Sequence, residues 1–307
     1  MAHFIARPRP GNIPAVDASP LGLIAGEGVF PLLVARGARS TGRSVACAAF
    51  AGIAWPELRR ECDRFSWVGV ARMGQWVRVL KASGCREAIL VGRVRKSELY
   101  NRWRWLQYIP DLRTIRLVLK ELRFDKRDHA LLLVVARELA AEGITLIDST
   151  RYCLDHLATE GVMTRRQPTE RQWADIEFGW DLCRTISRND IGQALAVLDK
   201  DVLAVEALEG TNTMIERAAR YCGAGGWTLI KVANAQRDMR MDVPSVGTTT
   251  IEKLHAARAG CLVLEASRTI MLEKPKVIEL ADRYKIAIVG KPSDAPPLTP
   301  PTKPIEP

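Results

Sequence analysis

The stretch richest in groups that do chemistry is KVANAQRDMRMDVPSVG, which begins at Lys231 and carries Arg237, Asp238, Arg240 and Asp242. Cations at this density can hold phosphoryl oxygens, and carboxylates beside them can orient water or bind a divalent ion. Pro244 and Gly247 would stiffen and turn the chain just afterwards. The stretch follows an apolar run, WTLIKVA, and loops at strand ends are where open α/β sheets take ligands. A solvated charged loop is the plain alternative.

Two further groups stand out. SRNDIGQ from Ser187 and VLAVEALEGT from Val202 set Asp190, Gln193, Glu206, Glu209 and Thr211 beside apolar strands. Burial there without partners would be expensive, so these side chains need each other, a helix cap at Thr211, or a ligand and metal. GLIAGEGVFP from Gly22 offers Gly26 and Gly28 ahead of a helix, where backbone can approach a phosphate or sugar and helix amides can face its charge. The dinucleotide fingerprint fails, because Pro31 stands where a third glycine belongs. A tight strand-to-helix turn explains the glycines equally well. The histidines, His3, His129, His156 and His255, lack zinc-ligand spacing, and neither a GKS/GKT nor a GxSxG motif occurs.

These residues need a scaffold of strands and helices. LGLIA from Leu21, a helix from Phe30 to Arg39, then SVACAAF from Ser44, WVGV from Trp67 and EAILVG from Glu87, with helical MGQWVRVLKASG from Met73 between the last two, predict a parallel sheet with crossover helices. A long helix over about Arg127 to Glu142 and TLID from Thr145 close this unit. The polar stretch Ala158 to Arg171 predicts a linker. Beyond it come a helix from Arg171 to Arg188, a hairpin turning at LDKD (Leu198 to Asp201), a helix from Thr211 to Tyr221, the strand WTLIKVA, a helix near Thr249 to Ala259, and strands at CLVLEA and IAIVG. The expectation is an α/β protein of two domains: a Rossmann-like parallel sheet over 20–150 and a mixed α/β domain over 165–291. Proline-rich tails, 1–19 and 292–307, are expected to be poorly ordered.

The 307 residues suit two domains, and 47% apolar with 26% charged residues is ordinary globular composition. Seven cysteines with no CxxC pair suit a reducing compartment. With no apolar run long enough to span a bilayer and no secretory-type N-terminus, a cytoplasmic location is expected. Net charge is +10, concentrated between Arg93 and Arg127, where 11 Lys or Arg face four Asp or Glu around Tyr100, Trp103, Trp105 and Tyr108. Nucleic acid, an anionic membrane surface and a solvated helix face all fit that pattern.

In order and spacing, GLIAGEGVFP, NDIGQ (Asn189 to Gln193), VLAVEALEGT and DMRMDVPSVG (from Asp238) resemble the motifs of the LpxI family of UDP-2,3-diacylglucosamine pyrophosphatases, over about Leu21 to Gly290. The resemblance implies hydrolysis of that lipid-linked nucleotide sugar to UMP and 2,3-diacylglucosamine 1-phosphate, with Mg²⁺ or Mn²⁺, in lipid A biosynthesis. It implies a catalytic aspartate at Asp242, with Asp242 and Asp238 toward the metal. Substrate-binding residues are then expected at Gly26, Gly28, Gly92, Asp190, Gln193, Glu209, Gly210, Thr211, Lys231 and Arg240. The sequence departs from the family pattern at Asn234 and Ala235, where Lys-Pro is usual, at Arg237 in place of glutamine, and at His129, where a second aspartate often follows Asp128. A non-catalytic relative that binds nucleotide sugar or lipid is the alternative.

A two-chain lipid substrate must be collected from a bilayer, so peripheral contact with the inner face of the membrane is expected through the Trp- and Arg-rich segment. Nucleic acid is not expected as a partner, and a homodimer is left open. In liposome flotation, a Trp103→Ala/Trp105→Ala variant should bind anionic vesicles less than the wild type; equal binding would remove the membrane role of this segment.

Overall fold

The computed structural model describes residues 18–94, 110–121, 128–234 and 243–293, without the side chains of 118–121 and 128–132. The tails expected at 1–19 and 292–307 lie almost wholly outside the described residues, as do Tyr100, Trp103, Trp105 and Tyr108.

The first sheet is parallel throughout, in the order β3-β2-β1-β4-β5, from β1 (Leu21–Ala25), β2 (Val45–Phe50), β3 (Arg64–Val68), β4 (Glu87–Val91) and β5 (Thr145–Leu146). Every residue of β1 and β2 is buried, which is why LGLIA and VACAAF read as continuous apolar runs. Strand alternation divides them between two cores. Leu21, Leu23 and Ala25 pack with α1 (Phe30–Ser40), while Ile24 packs with α2 (Met73–Ala82) and α4 (Asp128–Ala141). Between those two helices in the chain comes α3 (Leu112–Glu121), held by Arg113, which pairs at 2.8 Å with Glu138 on α4 and at 2.8 Å with Glu142 just past its end.

The order of this sheet reverses between β1 and β4, and Gly26 and Gly92 meet there. A Cβ on Gly92 would lie 2.6 Å from the Gly26 carbonyl carbon, and one on Gly26 would lie 2.8 Å from the Arg93 carbonyl oxygen. Glu27 and Arg93 then exchange two backbone hydrogen bonds of 2.9 Å each. Side chains at either glycine would force these strand ends apart.

The second sheet is mixed, in the order β6-β13-β11-β9-β7-β8. Its parallel centre is β9 (Thr228–Lys231), β11 (Cys261–Glu265) and β13 (Ala287–Lys291). On one edge β7 (Ala194–Leu198) and β8 (Asp201–Val205) form the hairpin expected at LDKD, with Asp199 and Lys200 both at positive φ, as a two-residue turn of this kind demands. One face carries α5 (Glu170–Arg188), started by a capping box in which Thr169 and Gln172 each accept the other's backbone N–H. The other face carries α6 (Thr211–Tyr221), α7 (Thr248–Ala256) and α8 (Lys274–Arg283) around fully buried Trp227.

Some elements went unread in the sequence. β6 (Gly161–Val162) lies inside the stretch expected to be a linker and pairs antiparallel with β13. β3 starts at Arg64, earlier than WVGV implied, because Asp63 already bonds Val45 through both backbone and side chain. Helices α3 and α8 were not anticipated. Within the second unit a small parallel ladder pairs β10 (Ser245–Val246) with β12 (Ile270–Met271), and the two units touch beside it. Ile270 belongs to the α1-side core of the first sheet, and Val243 and Leu272 pack against it.

Gly92→Ala and Gly84→Ala both place alanine at positive φ, but only Gly92 also has a backbone collision. Urea denaturation should show the Gly92 variant destabilised by about 1–3 kcal/mol more than the Gly84 variant; equal losses would mean the β1/β4 contact is loosely packed.

Candidate active site

β9 ends at Lys231, beside the turns that flank β7, β8 and α6. Ala194, the first residue of β7, pairs with Lys231 in the sheet, and Val232 N–H donates to the Gln193 carbonyl at 2.9 Å. The turn before β7 lies tight against the end of β8, because Gly192 has no Cβ; one would fall 1.9 Å from the Glu206 carbonyl oxygen. Gly210, at φ +80, then starts α6 with Thr211 as its first residue.

The outcome is a short polar chain. Lys231 Nζ donates to Thr211 Oγ1 at 3.2 Å and to the Ser245 carbonyl at 3.2 Å. Thr211 Oγ1 donates to Glu206 Oε1 at 2.7 Å, and Glu206 Oε2 accepts from Gln193 N–H at 3.3 Å. Lys231 and Glu206 are each only 8% exposed, so both charges are largely desolvated and depend on these partners. Asp190, in the left-handed region, accepts from the Asn234 side-chain amide at 3.2 Å, which bridges the Gln193 turn to the exit of β9.

The structure therefore brings together Asp190, Gln193, Gly210, Thr211 and Lys231 from the residues expected on sequence. Glu209 is nearby but engaged: it pairs with Arg217 at 2.6 Å and accepts from Ala207 N–H at 3.2 Å, closing its own turn. Gly26, Gly28 and Gly92 sit at the switch point of the first sheet. The Gly26 N–H bonds the Val91 carbonyl at 2.8 Å, so that amide is turned to β4 and not to a ligand. Gly28 has positive φ with open space beside it, as the turn into α1 needs. Asp238, Arg240 and Asp242 lie outside the described residues; Asn234 and Val243, which flank their segment, are described.

Sequence reasoning did not single out Glu265 and Arg268. Glu265 is 2% exposed, accepts the Ala233 N–H at 2.7 Å and pairs with Arg268 at 3.4 Å. The available signal was a carboxylate ending the apolar run CLVLE with an arginine three residues on. Cys183 lies beneath the site, its thiol within 3.6 Å of the Gln193 and Ile230 carbonyls. Burial, and then the charges of Glu206 and Glu265, push that thiol well above the ordinary range, so it stays protonated and unreactive.

Among the described residues no group of three or more His, Cys, Asp or Glu could hold a metal ion. Glu206, Glu209 and Glu265 already accept protein hydrogen bonds or ion pairs. The described donor set thus does not fit Mg²⁺ or Mn²⁺ by itself.

The protein is thus two joined α/β units, with a buried lysine among polar turns at the carboxyl edge of the second sheet, the edge at which open α/β sheets take their ligands. Residues 20–156 match the LpxI N-terminal domain and residues 159–289 the LpxI C-terminal domain. The chain is 32% identical over 287 residues to the UDP-2,3-diacylglucosamine pyrophosphatase LpxI of Caulobacter vibrioides, covering 88% of this chain and 96% of that protein. This chain belongs to the LpxI family.

Proposed function

We propose that the chain hydrolyses the pyrophosphate of UDP-2,3-diacylglucosamine, giving UMP and 2,3-diacylglucosamine 1-phosphate for lipid A biosynthesis. The carrying observation is that the named relative aligns across nearly its whole length with both domains of this chain. In this reaction the oxygen of water bonds to one phosphorus as that same phosphorus loses its bond to the bridging oxygen, which leaves with the other phosphate, and the water gives up a proton. The departing phosphate oxygen takes up negative charge.

The buried ammonium of Lys231 suits that charge. In a desolvated setting a fixed cation interacts strongly with a developing anion, and its bonds to Thr211 and Ser245 hold it in place beforehand. Thr211 and Gly210 present the first turn of α6 beside it, where helix N–H groups favour phosphate. Asp242 is assigned as the catalytic carboxylate and Arg240 as a second phosphate contact. Asp190 and Gln193 belong to the same cluster of polar turns and are assigned to substrate. Mg²⁺ or Mn²⁺ enters this reading only through Asp242 and Asp238, because the described carboxylates do not fit it.

The proposal includes peripheral contact with the inner face of the membrane, where the acyl chains reside. Supporting it, α3 leaves Leu112 74% and Ile115 38% exposed beside exposed Arg116, a mixture of apolar and cationic groups suited to a lipid interface. No helix among the described residues is long and apolar enough to cross a membrane.

Purified wild type should release UMP from UDP-2,3-diacylglucosamine with Mg²⁺ or Mn²⁺, and Asp242→Ala should lose at least about 100-fold in kcat. Tight substrate binding without wild-type turnover would instead identify a binding protein built on the family fold.

A further inference from the structure

The turn that follows β11 grips both sides of the Lys231 site. At its start, Glu265 Oε2 accepts the Ala233 N–H at 2.7 Å, between Lys231 and Asn234. The chain then doubles back through Ser267, which has positive φ, and Thr269 N–H returns to the Glu265 carbonyl at 3.1 Å. At the end of the turn, Ile270 N–H donates to the Pro244 carbonyl at 2.9 Å. That bond fixes the chain just ahead of Ser245, whose carbonyl accepts from Lys231 Nζ. A single turn, buried except at Ser267, therefore holds the backbone on both sides of the lysine: the strand that carries it and the strand that receives its hydrogen bond.

The same turn also reaches the connection between the two units. Ser267 N–H donates to the Ala158 carbonyl and Ala158 N–H to the Thr269 carbonyl, each at 2.8 Å, and Leu157 bridges to Ile270. Glu265 itself is held from the other side by Arg268, only 8% exposed.

We infer that Glu265 is a positioning residue for the proposed hydrolysis: its carboxylate, gripping Ala233 N–H, fixes the height and direction of Lys231 and Asn234 at the site. This rests on the function proposed above. Glu265 acts through its neighbours and is given no contact with substrate. Misplacement of a positioned group by about 1 Å costs on the order of 100-fold in rate, so a buried carboxylate that gives one oxygen to a backbone amide beside the site and the other to Arg268 is commensurate with that role.

Two conservative variants separate this role from a merely structural ion pair. Glu265→Gln keeps an oxygen that can accept the Ala233 N–H but gives up the charge facing Arg268. Glu265→Asp keeps the charge but shortens the reach to Ala233. Positioning predicts that Asp lowers kcat by about 10- to 100-fold with little change in KM, that Gln loses much less, and that exchange of the Ala233 amide quickens only in the Asp variant. The reverse ranking, or equal kcat in both variants with only their melting temperatures lowered, would overturn the inference. If the wild type proves inactive, the proposed reaction fails by itself. Amide exchange then still decides the positioning, with unchanged Ala233 protection in Glu265→Asp counting against it.

Discussion

The structure turns on the cost of keeping charged groups out of water at the carboxyl edge of the second sheet. Lys231, Glu206, Glu265 and Arg268 are all nearly inaccessible. Each such charge is tolerated only where partners replace its hydration. The partners come from every neighbouring segment: Thr211 from the start of α6, Gln193 from the turn before β7, Ala233 from the exit of β9, and Ser245 from β10. Moving any of these segments would strand a buried charge, so the same need that stabilises the edge also fixes the positions of its side chains.

The turn after β11 links this edge to the rest of the molecule. Through Ile270 it enters the α1-side core of the first sheet, and through Ala158 it grips the connection between the two family domains. The placement of the first unit is thus tied to the placement of Lys231 by a few backbone hydrogen bonds and one apolar cluster. The switch-point glycines of the first sheet contribute differently: Gly26 and Gly92 let β1 and β4 ends close upon each other.

Local features were legible in the sequence. The LDKD hairpin was readable because a charged pair, Asp199 and Lys200, stands between two apolar runs, and α6 because Gly210 and Thr211 mark its start. The need of Asp190, Gln193, Glu206, Glu209 and Thr211 for partners was foreseen by type, since polar side chains beside apolar strands demand them, whereas Lys231 was read with the charged loop that follows it and not with this group. The identity of those partners was not readable. Glu265 meets Ala233 across 32 residues of chain, and nothing in CLVLEASR says which amide its carboxylate will find. β6 escaped notice because two residues, Gly161 and Val162, carry no periodicity, and their pairing with β13 is a long-range choice.

Lys231 is proposed as the prearranged cation for the pyrophosphate of the lipid-linked nucleotide sugar. That role is read from kcat/KM for UDP-2,3-diacylglucosamine with Lys231→Met, which retains an unbranched side chain and leaves the Thr211–Glu206 hydrogen bond available. A fall of about 100-fold or more in a folded protein is expected. A folded variant with unchanged kcat/KM would rule the role out.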